Sequence, residues 1–387
     1  MGVTIGAEER LKNLVEAGRP ENKMRRALKW KRESRTGKII GTIGPNVPDE
    51  LISAAGIMPL AVSGSWNPST PRGSAYRPDM GCLYCTHVLE SILNGELDYL
   101  NGIITTKFDD DFKCLWDVIN YLHKPSINHI MYLPHVNTKI TLARWRDSVM
   151  ELKGVMEEII DRTIYDDDLS KAATEYNTAI GLLRELYELR KGKHPPLTGA
   201  EYLGITTAAK AMPIDEFNRE LKALFTHIKS RKANFKQPRL RILVSSDHLD
   251  NPGYIEVVEN AGCVVAMDDL DTGSRYFWNA DGETSGDLWN DLAMRYMNIW
   301  SPRMENWEAQ VDQLIKWVRD FKIDGVVELR QLYSYPREFM STYVRERLKK
   351  AGIPHLVLRR EYHLAGVGQL STRVEAFLEM LMGKRGR

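Results

Sequence analysis

Cysteine is scarce in this chain: four residues in 387, two of them inside the hexapeptide MGCLYC at positions 80–85. So few thiols exclude a disulfide-stapled secreted scaffold and point to reduced cysteines in a cytosolic setting. An excess of charge of either sign is missing too. Fifty-three Lys and Arg against fifty-two Asp and Glu leave a net charge of +1, so nothing general attracts the protein to nucleic acid or a membrane surface. No apolar run approaches the ~18 residues that span a bilayer. The opening MGVTIGAEERLKNLVEAG lacks the basic-then-apolar plan of a secretory signal. The expectation is a cytoplasmic protein with neither nucleic acid nor membrane as partner.

Apolar residues make up 43% of the chain, enough to bury a full core. Its length suits two cores better than one, since single cores stop growing at ~250–300 residues. The first 37 residues are basic and helix-prone and read as a helical leader. Over 38–137, apolar runs bounded by turns alternate with helical patterns: strands in KIIGTIG, IMPLAVSG, YLNGIITTKF and INHIMYLPHV, helices in PDELISAAG, YCTHVLESILNGEL and DDDFKCLWDVINYLHK. Residues 138–235 carry three long amphipathic helices split by the breaker GKHPPLTG, and almost no strand signal. From 236 to 387 the alternation resumes through LRILVSS, CVVAMDD, DGVVEL and PHLVLRR. The expected class is α/β: two parallel-sheet lobes joined by a helical connector.

In such sheets ligands sit beyond the carboxyl ends of the strands, and four loops there stand out. MGCLYC holds Cys82 and Cys85. TTKFDDDFKC holds Asp109, Asp110, Asp111 and Cys114. MDDLDTGSRYFW holds Asp268, Asp269, Asp271 and Arg275, the aspartates reading equally well as turn formers. EYHLAGVGQLSTR places Gly366 and Gly368 before a helix expected to start near Ser371. Its amides suit an anion, or Ser371 simply caps the helix.

The cysteines admit several readings. A zinc site wants a second pair or two histidines beside C-x-x-C, and only His87 and Cys114 are at hand. A thioredoxin-like pair would follow its strand directly, whereas SWNPSTPRGSAYRPD intervenes. Cys82, Cys85 and Cys114 would make three thiolates for an iron–sulfur cluster if the two loops meet. Buried inert packing is the plain alternative, and for Cys263 in AGCVVA it is the expected one.

Four stretches resemble the 2-hydroxyacyl-CoA dehydratase and ATP-dependent benzoyl-CoA reductase family, in particular its smaller subunit of about 380 residues. They are VPDELISAAGIMPLAVSG, NGELDYLNGIITTKFDDDFKCLWDV, DDLDTGSRYF, and GIPHLVLRREYHLAGVGQLSTRVEAFLEML with its G-Q-x-x-T-R-x-x-A-F-x-E run. The resemblance implies two α/β lobes with a [4Fe–4S] cluster held by three cysteines between them. It also implies a larger homologous partner subunit, an ATP-hydrolysing iron–sulfur activator, and low-potential electron transfer to a CoA-thioester substrate. DDLDTGSRYFW tilts the comparison toward benzoyl-CoA-type ring reduction, with 2-hydroxyacyl-CoA dehydration next. Carried over residue by residue, the ligand positions fall on Cys82, Asp109 and Ser334, and a turn cysteine of some relatives falls on Asp271. One customary thiolate of three remains. Cys85 and Cys114 supply replacement sulfurs, or Asp109 and Ser334 ligate through oxygen, or the subunit holds no cluster and only shapes its partner's pocket. Gly366, Gly368, Gln369, Ser371 and Arg373 are the candidates for contact with the CoA moiety.

Overall fold

A computed structural model describes residues 6–123, 125–231, 240–280 and 286–385. Its frame is two four-stranded, all-parallel sheets. The first contains β1 (Ile39–Ile43), β2 (Met58–Ala61), β3 (Gly102–Thr106) and β4 (Asn128–Met131), in the order β2-β1-β3-β4. The second contains β5 (Arg241–Ser246), β6 (Val264–Asp269), β7 (Gly325–Gln331) and β8 (His355–Arg360), in the order β6-β5-β7-β8. All eight are the strands expected from the apolar runs. β1 is buried at every position, IIGTI, as a central parallel strand covered on both faces must be.

Helices cover the sheets. Lys139–Ile160 and Asp166–Glu188 begin at Thr138 and Tyr165, each closing a reciprocal capping hydrogen-bond pair with the third helical residue. A third connector helix, Ile214–Ser230, buries Phe217, Leu221, Leu224 and Ile228 on one stripe. The end placed at 235 for this segment lies outside the described residues. The sequence pattern does not announce four helices, Pro71–Ser74, Gly199–Ala208, Ser274–Phe277 and Leu288–Met297.

The connector packs against both lobes. One buried cluster joins Tyr176, Leu183 and Phe217 to Leu243, Met267 and Val326 of the second sheet. Another joins Trp145, Val149 and Leu152 to Ile40 and Ile104 of the first sheet and to Leu292 and Tyr296. Leu288–Met297 therefore reaches back to the first lobe although it lies late in the chain. Each such side chain contributes roughly 1.5–3 kcal/mol on burial, so these clusters fix the two sheets against each other. Among the described residues no helix is long and apolar enough to cross a membrane.

One expected boundary moves. The last helix runs Val367–Arg385, so it starts at Val367 rather than near Ser371. Gly366, at φ +62°, takes the left-handed conformation that precedes it. Gly368, Gln369, Ser371 and Arg373 thus lie inside the helix, and the Ser371 hydroxyl bonds Glu375 at 2.9 Å instead of capping.

Candidate functional site: the cleft between two strand-end rims

The carboxyl ends of β1, β3, β5, β6 and β7 converge on one small cavity. Its walls include Gly44, Cys82, Tyr84, Phe108, Asp109 and Phe112 from the first lobe. Asp247, His248, Asp271, Arg275, Gln331 and Ser334 come from the second, with Trp300, Ser301 and Pro302 closing one side. Cys82, Asp109 and Ser334, the three positions that the resemblance offers as ligands, therefore line one cavity. Of the other sulfurs, Cys85 is fully buried in the first lobe's core beside Val88 and Leu89, where burial pushes its thiol well above the usual range. Cys114 is exposed and does not line the cavity. Cys263 is buried, its thiol donating to the Val258 carbonyl, as expected of a core residue.

The first lobe's rim is mainly packing. Cys82 precedes the helix Leu83–Leu93 and is 6% exposed. Tyr84 donates to the Val62 carbonyl at 2.8 Å and tilts against Phe112. Arg77 pairs with Asp111, so the long segment before Cys82 is fastened to the helix Asp110–Leu122. Asp109 caps that helix, accepting from the Phe112 amide at 3.1 Å. Burial raises its carboxyl to about 6, against the opposing pull of that amide.

The second lobe's rim is ionic. Asp269 takes Arg275 bidentately at 2.6 and 2.7 Å. Arg337 bonds Glu328 at 3.1 Å and also reaches Ser245. The Ser334 hydroxyl donates to Asp247 at 2.5 Å. His248 lies between Asp250 (3.5 Å) and Asp271 (3.4 Å), its ring 4.1 Å from that of Tyr84. Burial opposes its charge, but the two carboxylates win and raise it to about 9.

The lobes are bonded directly across the cleft. Gln331 donates to the Cys82 thiol at 3.4 Å, and Tyr335 to the Met80 carbonyl at 3.2 Å. Tyr362 accepts from the Gly64 amide and donates to Asp250, both at 2.9 Å. From the leader, buried Lys23 donates to Ser63 at 2.7 Å and the Ala61 carbonyl at 3.0 Å. Burial lowers that ammonium to about 8.

These residues do not fit a [4Fe–4S] cluster. The donor set is one thiol, one carboxyl and one hydroxyl, and hard oxygen suits a soft cluster poorly. Asp109 is engaged as a helix cap and Ser334 by Asp247. The cavity measures about 20 Å³, room for one or two waters. Its orphaned buried atoms are His248 Nε2 and oxygens of Asp247, Asp271 and Gln331, and the oxygens want hydrogen-bond donors. Among the described residues no group of three or more His, Cys, Asp and Glu is placed to hold a metal ion. That also leaves the zinc reading of MGCLYC without a ligand set.

Sequence reasoning missed His248, Asp247, Gln331 and Tyr84. The first two stand in SSDHLDNPG directly after β5, so the strand-end rule could have found them. Gln331 closes β7, so the same rule reaches its position, but not its bond to Cys82, which lies 249 positions away. The candidates Gly366, Gly368, Gln369, Ser371 and Arg373 are absent from the cleft wall; Gln369 and Arg373 line a separate groove at the edge of β8.

Comparison with known proteins agrees with the resemblance carried by the sequence motifs. Residues 46–381 match the model of the family described as 2-hydroxyglutaryl-CoA dehydratase, D-component. The beta subunit of (R)-2-hydroxyglutaryl-CoA dehydratase from Acidaminococcus fermentans is 25% identical, over 89% of this chain and 92% of its own length. The (R)-phenyllactyl-CoA dehydratase beta subunit of Clostridium sporogenes is 23% identical with the same coverage. A benzoyl-CoA reductase subunit from Thauera aromatica is 21% identical, over 85% of this chain and 87% of its own length. With two parallel-sheet lobes meeting at their strand-end rims and a family match across most of its length, this chain belongs to the 2-hydroxyglutaryl-CoA dehydratase D-component family of enzyme subunits.

Proposed function

We propose that this chain is one subunit of a heteromeric enzyme acting on a CoA thioester. It pairs with a larger homologous subunit that holds the [4Fe–4S] cluster and receives electrons from an ATP-hydrolysing iron–sulfur activator. The relatives include dehydratases and a reductase, so the CoA thioester is what they have in common. In this reading the chain itself is free of cluster and shapes the partner's substrate pocket.

One observation carries the cluster-free part: of Cys82, Asp109 and Ser334, only one is a thiol, and both oxygen residues already have protein partners. A second reading puts a cluster here, on the ground that the same three residues share one cavity. Anaerobic reconstitution with iron and sulfide decides between them. The lone chain is expected to keep no stoichiometric iron, and a complex with the larger subunit to contain it. About four irons per lone chain, lost in Cys82→Ala but kept in Cys263→Ala, would overturn the cluster-free reading.

A further inference from the structure

The outer edge of the second sheet carries a cationic cluster that the cleft does not use. In the parallel β7–β8 ladder Arg330 stands opposite Arg359, so both side chains leave neighbouring strands on the same side. Arg373 arrives from the helix Val367–Arg385 and donates to the Val357 carbonyl at 3.3 Å. The three arginines, with Val357, Gln369 and Leu370, line a groove of about 360 Å³. That is the size of an ordinary small-ligand pocket.

Like charges on facing strand positions destabilise a sheet unless something offsets them. Little here does. The carboxylate near Arg330 is Glu338, at 3.9 Å, and the Arg330 Nε is buried without a hydrogen-bond partner. Among the described residues neither Arg359 nor Arg373 forms an ion pair. The helix beside them has no acidic residue in its first turn, so its amide end adds positive potential. Guanidinium forks match phosphate oxygens two at a time.

We propose that this groove is a phosphate-binding site in which Arg330, Arg359 and Arg373 clamp the phosphate of a nucleotide-type ligand. The chemistry is the same for the phosphates of CoA and for those of a free nucleotide. Only the choice of CoA rests on the thioester reading; the site rests on the arginines.

Calorimetric titration of the full-length chain in low-salt buffer tests it, with CoA, 3′-dephospho-CoA, ADP and inorganic phosphate as probes. Saturable binding of ADP or CoA is expected, weakened ~10-fold or more by Arg359→Gln and by Arg373→Gln. Both replaced side chains are exposed, so the variants should fold. Thermal unfolding gives an independent readout: phosphate should raise the wild-type midpoint and leave that of Arg359→Gln unmoved. Binding of ADP but not CoA would support the site and count against the thioester reading. A loss of affinity from CoA to dephospho-CoA, itself abolished by Arg359→Gln, would support the site and assign the 3′-phosphate to it. No saturable binding of any probe, or binding unchanged in both variants, would overturn the site.

Discussion

The two sheets run their strands in the same relative order, the first strand of each lobe paired between the second and third. Their rims are nonetheless built from different chemistry. The first lobe brings Tyr84, Phe108, Phe112 and Cys82 to the cleft, with Asp109 as its one carboxyl on the cavity wall. The second brings Asp247, His248, Asp271 and Arg275, backed by the Glu328–Arg337 and Asp269–Arg275 pairs. Strand order and core packing set where a rim is; they leave its composition free. One rim is therefore held by packing and the other by charge, and substitutions can separate the two.

The largest effect is expected where charge is most deeply committed. Arg337 is 1% exposed and bonds Glu328, which is fully buried. Arg337→Leu removes the cation and leaves the buried carboxylate with only His355 and the Ser341 hydroxyl, which should cost about 3–5 kcal/mol of unfolding free energy. Denaturant titration reads this directly. A loss under about 1 kcal/mol would mean that the second rim, like the first, stands on packing.

That contrast also explains what the sequence disclosed. Buried parallel strands announce themselves as short apolar runs between breakers, and all eight were legible that way. The short Ser274–Phe277 buries Ser274 and Arg275 as well as its aromatics, so no apolar stripe marks it. Leu288–Met297 packs on the first lobe rather than on its chain neighbours, which local patterning cannot convey. Gly366 and Gly368 looked like a loop ahead of the last helix, yet only Gly366 needs glycine's conformational freedom; Gly368 sits within the helix. At the site, the strand-end rule reached Cys82, Asp109 and Asp271, and the family resemblance added Ser334. Neither could say that Ser334 would be taken by Asp247 or Cys82 by Gln331, because those bonds join residues 87 and 249 positions apart.

An intermediate effect, with its own pH signature, is expected at His248. Its folded-state value of about 9 exceeds the ordinary 6.5 because Asp271 and Asp250 outweigh burial. A base raised in this way stabilises the fold fully below about pH 6.5, and that contribution fades as pH climbs through 9. His248→Gln should therefore lower stability by about 2–3 kcal/mol at pH 6 and by little at pH 10. The tyrosines packed on the ring, Tyr84 and Tyr362, are themselves raised by burial and stay neutral through this window. Unfolding curves at pH 6, 8 and 10 check it; a difference independent of pH would mean that His248 is neutral and serves only as a packed ring.

The smallest effect belongs to the first rim, and it has the opposite sign. Asp109 is an acid pushed up by burial to about 6, so its ionisation above that pH costs the folded state something the unfolded chain does not incur. Asp109→Asn keeps an oxygen to accept from the Phe112 amide, and asparagine caps as well as aspartate does. The variant should match wild type near pH 4 and exceed it by about 1–2 kcal/mol at pH 8. The gain stays small because Arg303, itself lowered by burial to about 10, loses a nearby countercharge. Asp109→Ala separates the two roles: it also removes the carboxyl but forfeits the cap, so it should fall below wild type at pH 4. If Asp109→Asn is instead less stable than wild type at pH 8, the carboxylate is an asset to the first rim, and the division between a packed rim and a charged one fails there.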